Sequence, residues 1–189
     1  MKHFTIPSRT SSRKIWAFVT VAGLSVALSA CNTADKTVGP PLPTVASVDV
    51  PRYMGTWVQQ ALVPNKFQKM CASDTTATYA RDGNGLSVTN RCVDAQGKPV
   101  EAKGVAKVVE GSNNAKLKVS FFRPFYGDYW VLALDPDYQW VLVGEPAREF
   151  GWVLSRAKKL DDATYNAILD KAAALGYDRA RFVRSVNKP

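Results

Sequence analysis

The chain has 189 residues, of which 46% are hydrophobic, and 25 basic residues stand against 16 acidic ones, giving a formal net charge of +9. Four of the basic residues and none of the acidic ones fall in the first thirty positions, so the remainder carries 21 basic against 16 acidic residues, or about +5. The basic residues form no cluster that would bind phosphates, which makes nucleic acid a poor candidate partner.

The N-terminus has the features of a secretion signal. Basic residues precede an apolar stretch from Ile15 to Leu28, which is too short to span a bilayer. The stretch ends in Leu28-Ser29-Ala30-Cys31, which resembles the bacterial lipobox, where the signal is cut before a cysteine that becomes acylated. Residues 1–30 are therefore predicted to be a signal peptide, and Cys31 the lipidation site. Asn32 favours the outer membrane, because Asp at that position tends to retain such proteins at the inner membrane.

Two further conclusions follow if the first thirty residues are removed. His3, the one histidine, is lost, which excludes Ser-His-Asp and Cys-His catalysis and most zinc sites. With Cys31 acylated, Cys71 and Cys92 remain, and an even pair in an oxidising envelope predicts a disulfide, the alternative being two buried thiols. No catalytic residue, metal or cofactor is expected.

Residues 31–48 are small, polar and rich in proline, which predicts a lipidated N-terminus and tether reaching about 50 Å at about 3.1 Å per residue. Short β-like runs then alternate with turn signals such as Asp82-Gly83-Asn84-Gly85, the spacing of an antiparallel barrel or sandwich. The predicted strands are residues 55–62, 75–81, 86–93, 100–109, 116–122, 128–134, 138–143 and 150–156.

The hydrophobic period changes near the C-terminus. Asp161 or Asp162 is predicted to cap an amphipathic helix, which Gly176 ends. The run from Trp130 to Leu134 is apolar on both faces, so we expect the helix to cover this region from outside. The predicted fold is all-β, with one domain over residues 49–189.

The motifs in this domain resemble those of the lipocalin family. Gly55-Thr56-Trp57 matches the Gly-x-Trp signature at the first strand, Asp135-Pro136-Asp137-Tyr138 lies where the second motif is found, and Arg156 matches the arginine of the third. The runs KLKVSFFRPFYG (116–127) and WVLSR (152–156) are similar to those of bacterial outer-membrane lipocalins. The resemblance implies an eight-stranded antiparallel up-and-down barrel with the helix packed outside.

In such a barrel Trp57, Tyr138 and Arg156 lie at one end, where the guanidinium can cover the indole, and the disulfide braces the opposite end. The barrel can be filled or can hold one small ligand. Candidate ligand-binding residues, chosen from strand alternation and the apolar loops, are Gln59, Ala61, Phe125, Tyr129, Val131, Ala133 and Trp152.

The resemblance implies a ligand with an acyl chain, namely a fatty acid or a lysophospholipid, carried or stored by a protein that faces the periplasm. Two alternatives stay open. One is a lipid-modifying enzyme, whose chemistry would need a carboxylate or thiol; the other is a structural or stress protein of the envelope with a filled barrel. The sequence does not specify the oligomeric state.

Overall fold

The computed structural model describes residues 40–83 and 85–188, so the predicted signal peptide and Cys31 lie outside the described residues. The described strands are β1 (Gly55–Leu62), β2 (Ser73–Asp82), β3 (Gly85–Val93), β4 (Pro99–Val108), β5 (Lys116–Phe122), β6 (Phe125–Leu134), β7 (Trp140–Gly144), β8 (Gly151–Ser155) and β9 (Val183–Arg184). The α-helices are α1 (Val50–Tyr53) and α2 (Asp162–Ala174), and single 3-10 turns span Lys66–Gln68 and Arg179–Arg181.

Strands β1 to β8 form a closed antiparallel barrel. Each strand pairs with the next along the chain, and β1 pairs with both β2 and β8, which closes the sheet. The predicted eight-stranded up-and-down barrel is confirmed. The observed strand ends differ from the predicted ones by up to about three residues, the usual uncertainty of pattern-based boundaries.

The alternating strand directions give the barrel two distinct ends. One end, the mouth, carries the connections of residues 63–72, 94–98, 123–124 and 145–150. The other, the closed end, carries α1, the start of β1, and the connections of residues 83–84, 109–115 and 135–139.

Helix α2 packs on the outer surface of the barrel, as predicted. Asp161 caps it, since its carboxylate accepts a hydrogen bond from the Thr164 amide at 2.8 Å. Gly176 ends it with a φ of +86°, a conformation that glycine adopts without strain. The buried helix residues form one apolar cluster with outward-facing strand residues, separate from the cluster in the barrel interior. No helix among the residues described is long and apolar enough to cross a membrane.

The predicted tether is shorter than expected, because residues 40–48 pack against the barrel. Leu42 joins the cluster beneath α2, and Val48 joins the interior cluster. The Val45 amide donates to the Val131 carbonyl at 3.0 Å, and the Arg148 guanidinium donates to the Pro40 carbonyl at 2.8 Å. This part of residues 31–48 was wrongly predicted to be free chain. The prediction relied on the proline content and overlooked three apolar side chains at regular spacing.

The C-terminal segment completes the wall between β1 and β2. These strands pair only as far as Val58 and Thr76, and β9 then pairs with Ala61 and Leu62. Beyond β9, the Ser185 amide donates to the Gln60 carbonyl at 2.9 Å. The first residues of β2 are therefore bridged to β1 by the chain terminus, which the sequence did not predict.

Candidate functional site: the barrel interior and its mouth

The closed end is organised around Trp57 and Arg156. The Trp57 side chain is fully buried, and its indole Nε1 donates to the Tyr53 carbonyl at 2.9 Å. The Arg156 guanidinium lies 3.7 Å from the centroid of the indole ring. It also donates to main-chain carbonyls on either side, including those of Thr56 at 2.8 Å and Met54 at 2.9 Å. The predicted cation–π contact is thus present, and Arg156 fastens α1 to β1 and β8.

Tyr138 lies at the closed end, as expected, but contacts a different arginine. Its ring centroid is 4.2 Å from the Arg52 guanidinium, and its hydroxyl accepts a hydrogen bond from the Asp49 amide at 2.8 Å. Both residues belong to the segment around α1, which the sequence analysis did not predict. Asp49 at the cap and Pro51 within the first turn are the signals that would have located this helix.

Next to Trp57 the interior holds a cluster of three tyrosines. The Tyr53 and Tyr129 hydroxyl oxygens are 2.7 Å apart, and the Tyr79 ring packs edge-on against the Tyr129 ring with centroids 6.0 Å apart. Burial raises the pKa of Tyr79 to about 12, and it raises the pKa values of Tyr53 and Tyr129 well above the ordinary value. The cluster is therefore neutral at any physiological pH and adds polar but uncharged groups to an apolar interior.

The candidate ligand residues divide between the two faces of the barrel. Tyr129 and Val131 belong to the interior cluster, as their positions on β6 predicted. Ala61 and Ala133 do not, because both pack in the cluster beneath α2. Their predicted inward orientation is wrong.

Two β-bulges explain this error. The β1–β8 register shifts between Gln59 and Ala61, and the β6–β7 register shifts between Val131 and Ala133. Each bulge inserts one residue, so the residues beyond it point to the opposite face from the one that strict alternation predicts.

A chain of side-chain amides crosses the mouth. The Trp152 indole donates to Gln68 Oε1 at 2.8 Å, Gln68 Nε2 donates to Gln59 Oε1 at 2.9 Å, and Gln59 Nε2 donates to the Ser185 hydroxyl at 2.8 Å. Gln59 is therefore buried but already engaged. Gln68, which the sequence analysis missed, connects the turn Lys66–Gln68 to both Trp152 and β1.

A row of aromatic rings leads from the interior to the surface. Trp152 is partly buried against the interior cluster and stacks on Phe150, with centroids 6.2 Å apart. Phe150 contacts Phe67, with centroids 5.9 Å apart, and Phe67 is 65% exposed. The sequence analysis selected Trp152, but Phe150 carried no signal before the chain was folded.

Phe125 lies at the mouth but not inside the barrel. It is 71% exposed at the tip of the β5–β6 hairpin, where it stacks on Phe122 with centroids 6.3 Å apart. A contact with ligand inside the barrel is therefore not open to this side chain in the structure.

The disulfide between Cys71 and Cys92 is present, with Cα atoms 5.5 Å apart, and it joins the β1–β2 loop to the end of β3 at the mouth. The prediction of a bridge that braces this end is confirmed.

Among the described residues, no three His, Cys, Asp or Glu side chains are grouped so that they could hold a metal ion.

The structure defines a class of small β-barrel proteins. Its marks are a closed barrel with an external helix, a Gly-x-Trp motif at the start of β1 and an arginine over the tryptophan. Comparison with known proteins identifies the family within this class. The model of the lipocalin-like domain family matches residues 48–187. The chain belongs to the lipocalin family.

Several curated relatives are similar over most of their length. The chain is 39% identical to temperature-induced lipocalin-1 of Arabidopsis thaliana over 142 residues, covering 71% of this chain and 76% of the relative. It is 34% identical to the outer membrane lipoprotein Blc of Escherichia coli K12 over 172 residues, covering 90% and 96%. Among solved structures, insecticyanin of Manduca sexta superposes with a TM-score of 0.63 at 21% identity, covering 77% of this chain and 84% of that one.

Proposed function

We propose that this chain is an outer-membrane lipoprotein, acylated on Cys31 and facing the periplasm, whose barrel binds and carries amphiphiles with one acyl chain, such as fatty acids or lysophospholipids. Support for the location comes from the Leu28-Ser29-Ala30-Cys31 sequence and from relatives that are themselves outer membrane lipoproteins. Support for the ligand class comes from the chemistry of the barrel.

The observation that carries the proposal is the row of apolar side chains that runs from the surface to the interior. Phe67, Phe150 and Trp152 form a row of rings, and beyond Trp152 the interior cluster consists of apolar side chains and neutral tyrosines. Aromatic faces of this kind accept methylene chains without requiring a particular head group. The charged head of an amphiphile would remain at the mouth, where Lys66 and Lys69 are exposed.

The energetics of acyl-chain burial suffice without a reactive group. Burying a sixteen-carbon chain contributes on the order of 12 kcal/mol at about 0.8 kcal/mol per methylene. Association costs about 4–15 kcal/mol. The difference is at most about 8 kcal/mol, which corresponds to a dissociation constant in the micromolar range.

A fluorescence titration tests the binding proposal. Adding lysophospholipid or a long-chain fatty acid to delipidated protein should change tryptophan emission saturably at about one ligand per barrel. Trp152→Ala should weaken binding by about 1–3 kcal/mol while leaving the fold intact. Trp140→Ala is the matched control, because Trp140 packs in the cluster beneath α2, outside the barrel. Equal loss of affinity in both variants, or no saturable signal in the wild type, would refute the proposal.

A labelling experiment tests the anchor separately. Metabolic labelling with radioactive palmitate should mark the wild-type protein and not Cys31→Ser, because Cys71 and Cys92 are joined to each other. The variant should also be released from membranes, since it lacks the acyl chains that hold the protein there. Incorporation of label into both proteins would show that Cys31 is not the site.

A further inference from the structure

We propose that the mouth of the barrel rests on the bilayer that carries the lipid anchor, with the β5–β6 hairpin tip inserted among the lipids and the basic mouth loops on anionic head groups. The orientation rests on the proposed acylation of Cys31, but it does not depend on which ligand the barrel holds.

The course of the N-terminal segment carries the first part of the argument. Pro40 is held beside the β7–β8 loop by Arg148, and from there the segment runs to Val48, whose amide donates to the Asn113 carbonyl at the closed end at 3.0 Å. The chain therefore joins the barrel at the mouth. Eight residues, 32–39, lie between Cys31 and Pro40, and this segment spans at most about 30 Å when fully extended.

This length limits how the barrel can be oriented. A ten-residue strand such as β6 rises about 3.3 Å per residue and, at a tilt of about 40°, gives the barrel a height of about 25 Å. If the membrane lay at the closed end, the segment between Cys31 and Pro40 would need nearly its full extended length to run along the height of the barrel. If the membrane lies at the mouth, the segment does not need to be extended.

The mouth also exposes large apolar side chains, which soluble proteins usually bury. Phe122 is 76% and Phe125 71% exposed, and both occupy the hairpin tip on either side of Arg123 and Pro124. Phe67 is exposed on the β1–β2 loop. Aromatic rings at the tips of loops, beside basic residues, have the composition of a surface that inserts shallowly at a membrane interface.

The mouth loops carry basic side chains that can contact lipid head groups. The four mouth connections contain five basic and three acidic residues. Two of the mouth acids, Asp94 and Glu145, accept hydrogen bonds from amides of their own loops. Lys66, Lys69, Lys98 and Arg123 are exposed there. An anionic surface is therefore attracted to the mouth.

Site-specific labelling of the acylated full chain tests the orientation. With Cys31 acylated and Cys71 bridged to Cys92, an added cysteine is the one free thiol, so Phe125→Cys can be labelled with a nitrobenzoxadiazole dye. The protein is reconstituted into vesicles of phosphatidylethanolamine and phosphatidylglycerol. Val108→Cys is the matched control, because Val108 is an exposed apolar residue at the closed end.

The dye on Phe125→Cys should shift to the blue and be quenched by shallow spin-labelled lipids at least about twofold more than the dye on Val108→Cys. Replacing phosphatidylglycerol by phosphatidylcholine, or changing Lys66 and Lys69 to Gln, should lower this quenching. Phe67→Cys gives a second mouth position should Phe125→Cys fold poorly.

Equal quenching at both ends, or stronger quenching at Val108→Cys, overturns the proposal. So does an unquenched mouth dye in a protein that crosslinks as a dimer, since a second copy would then cover the phenylalanines. Palmitate labelling and the ligand titration report failure of the anchor or of binding independently of this result.

Discussion

Removing the Arg156 side chain should destabilise the barrel from its closed end. The guanidinium lies over Trp57 and donates to the carbonyls of Arg52, Tyr53, Met54 and Thr56 at 2.8–3.1 Å. Arg156→Ala leaves these acceptors to water or without a partner and uncovers the buried indole.

The expected loss follows from these contacts. The cation–π contact of a partly desolvated pair contributes about 1–2 kcal/mol. Hydrogen bonds from a charged donor contribute about 1.5–3 kcal/mol each, but they are not additive here, because water can reach the outer carbonyls. We expect a loss of about 2–4 kcal/mol in the free energy of unfolding, which corresponds to a fall of about 5–15 °C in melting temperature for a domain of this size.

Arg184→Ala provides the comparison. Arg184 also lies over an aromatic ring, 3.8 Å from the Tyr165 centroid, and pairs with Asp162, but its side chain is 44% exposed and that of Asp162 is 80% exposed. Its loss should lower the free energy of unfolding by about 1 kcal/mol or less. Arg156→Lys should fall between the two, because one ammonium group cannot donate to carbonyls on both sides.

Urea unfolding followed by circular dichroism measures all three variants. If Arg156→Ala is no less stable than Arg184→Ala, then the Arg156 guanidinium does not stabilise the closed end of the barrel. Ligand affinity at a temperature where the variants remain folded should not change, because the site lies toward the mouth.

Two other predictions concern stability. Replacing both Cys71 and Cys92 with Ser should lower the free energy of unfolding by about 3 kcal/mol, as expected for a bridge that closes a segment of 21 residues; an unchanged urea midpoint would contradict this. Stability should also fall between pH 10 and 12, because burial raises the pKa of Tyr79 from 10.0 to about 12 and the unfolded chain therefore loses that proton first. Two pKa units correspond to about 3 kcal/mol, present below pH 10 and lost by pH 12, and Tyr79→Phe should remove this share of the pH dependence.

The strands and helix α2 were predictable because their signals are local. Turn residues, alternating side chains and the capped helix each depend on neighbours in the chain. The disulfide followed from counting cysteines. The closed barrel and the contact of Trp57 with Arg156 were instead predicted from the resemblance of three motifs to those of the lipocalin family.

The mouth was less predictable because its contacts join segments that are far apart in the chain. Gln68 and Trp152 are 84 residues apart, and Gln59 and Ser185 are 126 apart, yet both pairs are hydrogen bonded. The side chain of a glutamine in a loop carries no indication of its partner. The packing of residues 40–48 was missed for the same reason, although Leu42, Val45 and Val48 recur every third residue.

The bulges provide a direct test of which face of the wall lines the site. Ala61 is fully buried between β1 and α2, so Ala61→Leu should overpack that cluster and lower the free energy of unfolding by about 1–3 kcal/mol, with ligand affinity unchanged. Ala77 is partly buried against the interior cluster and pairs with Trp57 across the β1–β2 ladder. Ala77→Leu should therefore cost less stability but weaken binding of the longest acyl chains, because the added carbons occupy interior volume. Urea unfolding and the fluorescence titration separate the two effects, and the opposite pattern would show that Ala61 faces the ligand as strict alternation predicts.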